Sequence, residues 1–137
     1  MDTIRDIVEF KSSRFVPVLP EDCQVNPGVY GAELAFWLSQ ALAKAGVATS
    51  YPNNEDWGWF IEYFPASGSE FAVHCSNVEG AKDHWLLSLR RFPRKMFGRD
   101  KPPYSEANAL IHGIRSVVES VAPATDITWH WVDGDAA

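Results

Sequence analysis

Three runs, Trp57-Gly58-Trp59-Phe60-Ile61-Glu62-Tyr63-Phe64, Phe71-Ala72-Val73-His74-Cys75 and Trp85-Leu86-Leu87-Ser88-Leu89, decide the fold. Each is apolar at every second position, the period of a strand that buries one face. Trp57, Trp59, Ile61 and Tyr63 fall on one face of the first run. Phe71, Val73 and Cys75 share a face of the second, opposite Glu70, Ala72 and His74. Trp85, Leu87 and Leu89 line the third. Pro65-Ala66-Ser67-Gly68-Ser69 and the Gly80-containing stretch from Asn77 to Asp83 carry turn residues. Residues 57–89 therefore predict a three-stranded antiparallel meander with one strongly apolar face.

Two helices flank it. Leu34, Trp37, Leu38, Ala41, Leu42 and Ala45 recur at three- and four-residue spacing, which predicts a helix over about Val29 to Ala45, with Gly46 as a left-handed cap. Ala107, Leu110, Ile111, Ile114, Val117, Val118 and Val121 form a second stripe that starts near Pro103 to Ser105 and stops at Pro123. Further strands are expected over Phe10 to Leu19, where Pro17 suggests a sheet edge, over Val47 to Tyr51, and over Ile127 to Trp131. Asp133 to Ala137 reads as a frayed end. Two apolar helix stripes and one apolar sheet face are all buried if both helices lie on the same side. The expected architecture is a two-layer α+β sandwich: a mostly antiparallel sheet of about five or six strands with two helices on one face.

The 137 residues show no linker or repeat, so residues 1–137 read as a single domain. A chain of that length buries enough apolar surface to fold without a metal or disulfide. Cys23 and Cys75 have no C-x-x-C spacing and read as buried free thiols. The start, Met1-Asp2-Thr3-Ile4-Arg5-Asp6, is not a secretory signal, and no run approaches a membrane span. The expectation from these features is a cytoplasmic protein with no membrane partner. A net charge of −6 argues against general nucleic-acid binding, because phosphates would be repelled.

Within Gly28 to Tyr63, the elements Tyr30-Gly31, Leu34-Ala35, Trp37-Leu38, Gly46 and Glu55-Asp56-Trp57-Gly58-Trp59 resemble a group of small bacterial proteins in which a helix precedes an acidic Asp-Trp-Gly-Trp strand entry. The likeness spans about a quarter of the chain. It implies a bacterial cytosolic protein and transfers neither an activity nor a functional residue.

Four constellations bear on function. The connection from Arg90 to Lys101 holds Arg90, Arg91, Arg94, Lys95, Arg99 and Lys101, six of the chain's 12 basic residues, against one acid. The remainder carries 6 basic and 17 acidic residues, a net of −11. Arginine grips phosphate or carboxylate through paired hydrogen bonds, and Phe92, Met96 and Phe97 offer apolar anchors. The run reads either as a docking loop for another protein or an anionic ligand, or as a solvated loop that pairs with the protein's own acids. Trp57-Gly58-Trp59 and Trp129-His130-Trp131 each place two indoles on one strand face, as core or as a stacking surface. Phe60, Phe64 and Leu86 fall on the opposite, uncovered sheet face, a candidate contact surface. Asn53-Asn54-Glu55-Asp56 reads as a turn rather than an acid pair for catalysis or metal. His74 and Cys75 point to opposite faces, and no zinc spacing, phosphate loop or nucleophile elbow is present. No cofactor is implied, and the residues nominated for partner contact are the six cations with Phe97, Phe60 and Leu86.

These observations suggest a non-catalytic protein-binding module, such as an immunity protein or inhibitor acting on a toxin or effector. The alternatives are a dimeric secretion or assembly chaperone, and a small-ligand binder or enzyme that uses Glu55, Asp56, His74, His84 or His130. The oligomeric state is not written in the sequence.

Overall fold

The computed structural model describes residues 4–93, 101–121 and 123–131. Its strands are β1 (Ile4–Lys11), β2 (Asn53–Glu55), β3 (Gly58–Tyr63), β4 (Phe71–Asn77), β5 (His84–Arg91) and β6 (Thr125–Trp129), and its helices are α1 (Ala32–Lys44) and α2 (Asn108–Glu119). The strands form one sheet in the order β2-β3-β4-β5-β1-β6, every neighbour antiparallel.

The meander is as predicted. Ile61, Phe71, Val73, Cys75, Trp85, Leu87 and Leu89 are fully buried on the helix side. Leu34, Ala35, Leu38 and Leu42 of α1 and Leu110, Ile111, Ile114, Val117 and Val118 of α2 join them in one continuous core. The helices touch each other at Gly113, where an added Cβ would lie 3.0 Å from Leu42. This is the expected α+β sandwich, with both helices on one face of a six-stranded antiparallel sheet.

The first helix starts at Ala32 rather than Val29, because Gly31 approaches β4 too closely for any other residue. Its φ is 147°, and a Cβ there would lie 2.3 Å from the Cys75 carbonyl oxygen. The preceding Tyr30 N–H donates to Asn77 Oδ1 at 3.0 Å, fixing the helix entry to the end of β4. At the far end Gly46 adopts φ 89°, and Val47 N–H reaches back to the Leu42 carbonyl at 2.8 Å, as expected for a glycine cap.

Two strand expectations are corrected. Phe10 to Leu19 is not a strand. The strand begins earlier, at Ile4, lies between β5 and β6, and ends before a 3-10 turn at Ser13–Phe15. A bulge between Asp6 and Val8 buries both Ile7 and Val8, which erases the period of two in the sequence. Val47 to Tyr51 runs beside β3 without forming a ladder. Ser50 N–H donates to the Glu62 carbonyl, while Glu62 N–H is taken by the Ser50 hydroxyl, each at 2.9 Å. The sheet edges are instead β6 and β2, the latter built from residues expected to be only a turn. The last strand covers Thr125–Trp129, and the expected fraying at 133–137 lies outside the described residues.

Candidate functional site

The side of the sheet away from the helices carries two rows set by strand register. Phe60, His74, Ser88 and Asp6 form one row across β3, β4, β5 and β1; Glu62, Ala72, Arg90 and Ile4 form the next. Leu86 lies opposite both Ser76 and Glu9 on the same side. Among the described residues no helix packs over these positions, and Phe60 and Leu86 are half-buried there, as the alternation required.

Trp57 joins this face, which corrects the expectation that it shares a side with Trp59. Glu55 and Gly58 close the β2–β3 hairpin, so Asp56 and Trp57 are its two turn residues and not part of the strand alternation. The indole folds back over the uncovered side and stacks on His74, with ring centres 4.1 Å apart and planes 26° apart, and lies 5.5 Å from Phe60. Trp57 remains 44% exposed, so one side of the stack faces solvent. Burial pushes the His74 pKa below its ordinary value, favouring the neutral ring beneath the indole. Trp59, by contrast, packs against the core, as do Trp129 and Trp131.

A shallow hollow of about 360 Å³ is lined by Ile4, Trp57, His74, Ser76 and Arg90. Its walls are apolar at Ile4 and Trp57, and Arg90 supplies a cation. The far half of the face is polar. Ser88 donates to Asp6 at 2.9 Å, and Glu9 lies between two imidazoles, 2.6 Å from His84 Nε2 and 3.6 Å from His130 Nε2.

Of the nominated cations, Arg90, Arg91 and Lys101 are described. Arg90 and Arg91 belong to β5, and the alternation sends them to opposite sides of the sheet. Arg90 reaches the uncovered face beside Ala72 and Ile4, while Arg91 faces the helix layer, its guanidinium 4.3 Å from the Tyr104 ring centre. Lys101 is half-buried just before the 3-10 turn that precedes α2. Arg94, Lys95, Phe97 and Arg99 lie outside the described residues. Phe64 is exposed beyond the end of β3.

The remaining expectations divide. Asn53, Asn54 and Glu55 form β2, correcting the turn reading, while Asp56 does begin a turn. Cys75 is buried, and desolvation raises its thiol pKa far above the ordinary value; Cys23 is exposed, contrary to expectation. Among the described residues, no three His, Cys, Asp or Glu side chains are grouped to hold a metal ion, and no helix is long and apolar enough to cross a membrane. Sequence reasoning missed Trp57, Ile4 and the Glu9 cluster as parts of the face. A hairpin turn between Glu55 and Gly58 was the one available signal for Trp57.

No protein-family model, curated protein or solved structure matches the chain.

Proposed function

We propose that this domain is a non-catalytic protein-binding module whose contact surface is the uncovered sheet face around Trp57. The observation that carries the reading is the hollow walled by Ile4 and Trp57, floored by polar Ser76 and His74, and edged by Arg90. A half-exposed indole held by a second ring is a rigid anchor that loses little conformational freedom on contact, and Trp and Arg are the side chains most enriched where interface energy concentrates. The polar surround of Asp6, Glu9, Glu62 and His130 resembles the rim of such a contact. A net charge of −6 would speed encounter with a basic partner, which suits an immunity or inhibitor protein that captures a cationic toxin or effector.

The test is site-specific photo-crosslinking in the cells that make the protein. A benzophenone side chain is placed at Trp57 or Leu86 on the face, and at the exposed Lys44 on α1 as a control. One discrete protein adduct from the face positions, absent at Lys44, is expected. Equal labelling at all three positions, or adducts at none, would refute the surface.

A further inference from the structure

On the other side of the sheet, two guanidiniums and a phenol converge. Arg5 lies opposite Leu89 and Arg91 opposite Phe71, so both side chains project into the helix layer at one end of β1 and β5. Arg91 stands 4.3 Å and Arg5 5.7 Å from the centre of the same Tyr104 ring, and Arg5 also lies 4.3 Å from the centre of the Trp131 ring. Aromatic faces attract cations, but gathering two like charges at a half-buried place opposes that attraction.

The hydrogen bonding there is incomplete. Arg91 donates one N–H to the Pro102 carbonyl at 3.1 Å, yet its Nε is buried with no partner, and among the described residues no carboxylate pairs with it. Tyr104 is 3% exposed, and its buried hydroxyl lies beside the Arg91 guanidinium without a partner at full hydrogen-bonding geometry. Glu106, two residues on, accepts from the Ser67 and Ser69 hydroxyls at 2.5 and 2.6 Å. Folded proteins leave few such groups unpaired, and each one asks for a cause. Burial raises the Tyr104 pKa while both arginines oppose the rise, so the phenol keeps its proton as a donor.

We propose that Arg91, Tyr104 and Arg5 form a binding site for one oxyanion group, a phosphate or a carboxylate. A guanidinium offers such a group two parallel N–H donors, the phenol O–H supplies a third, and the second guanidinium lies over the same ring. Arg5 and Arg91 are each half-buried, so both retain solvent-facing surface. Because the uncovered face lies on the opposite side of the sheet, this site stands or falls independently of it.

The experiment titrates the full chain with inorganic phosphate, and separately with acetate, at constant ionic strength, following heat of binding and melting temperature. Saturable binding is expected, with the melting point raised by about 4–5 °C at ten times the dissociation constant. Saturation by phosphate alone assigns a phosphate ligand; comparable saturation by acetate assigns a carboxylate. Arg91→Gln should weaken binding at least about tenfold, since it removes a charge-assisted pair. Tyr104→Phe should weaken it about threefold or more, and it keeps the ring packing should Arg91→Gln fail to fold. Arg14→Gln, at a separate cation–ring contact with Trp37, should leave binding unchanged. The proposal is overturned if neither anion saturates by about 20 mM, if Tyr104→Phe binds like the parent, or if Arg14→Gln lowers affinity as much as Arg91→Gln.

Discussion

Replacing Gly31 by alanine should destabilise the protein far more than replacing another left-handed glycine, Gly46. Gly31 has φ 147°, where L-residues are rarely found, and the added Cβ would lie 2.3 Å from the Cys75 carbonyl oxygen. Backbone strain of that kind costs about 1–3 kcal/mol. The clash adds to it, because the obstacle is the carbonyl of a central strand and not the tip of a mobile side chain. Relief requires lifting the start of α1 off β4, which loosens the packing of Leu34 and Ala35. A total of about 3–4 kcal/mol follows. Gly46 has φ 89°, but a Cβ added there would meet nothing within 4 Å, so alanine costs only the left-handed penalty, about 1 kcal/mol after allowing for the stiffer unfolded chain. For a chain of this length each kcal/mol corresponds to roughly 3–4 °C. Thermal melts by circular dichroism should therefore show a drop of about 10–14 °C for Gly31→Ala and about 3–4 °C for Gly46→Ala. A Gly31→Ala melt within about 2 °C of the parent, or equal to that of Gly46→Ala, would refute the close approach of helix and strand.

Leu110→Ala or Ile114→Ala should each cost about 2–5 kcal/mol in urea unfolding, since both side chains are fully buried between α2 and the sheet. Burial lowers the His74 pKa in the folded state, so between the folded value and the unfolded value near 6.5 the unfolded chain binds more protons. The neutral ring's contribution is thus complete above about pH 6.5 and is lost as pH falls toward the folded value. His74→Gln should flatten the acid side of the stability profile measured by melts between about pH 5 and 8. In native protein a disulfide reagent should modify Cys23 within minutes and leave Cys75 untouched until denaturant is added, because Cys75 is enclosed and holds its proton.

Much of the architecture was legible because its signals repeat. Phe71, Val73 and Cys75 keep step with Trp85, Leu87 and Leu89, and α2 places an apolar residue at every turn. The elements that escaped the sequence each break a period. The bulge beside Ile7 puts two consecutive apolar residues into buried positions, so β1 resembles irregular chain while the following Phe15–Leu19 looks more regular than it is. Edge strand β2 is Asn-Asn-Glu, with no apolar residue to mark it. The candidate face was legible through Phe60 and Leu86 but not through Trp57, whose side depends on where a turn closes. Arg90 and Arg91 look like the start of a charged loop, yet they extend β5, because Ala72 and Phe71 supply ladder partners across the sheet. The pairing of Glu9 with His84 and His130 joins three distant segments, and spacing along a sequence carries no record of it.

The position of β1 has a consequence for how the molecule is assembled. Its two lateral partners are β5 and β6, with Phe10 matched to Trp85 and Val8 to Trp129. During synthesis β1 emerges before both, so its hydrogen-bonding edges wait while the helix α1 and the meander are made. Pairings over such long stretches of chain slow folding, and a waiting strand that contains Ile7, Val8 and Phe10 is an invitation to wrong partners. Asp6, Glu9 and Lys11, set among those apolar residues, keep the waiting segment charged until the later strands arrive to clasp it.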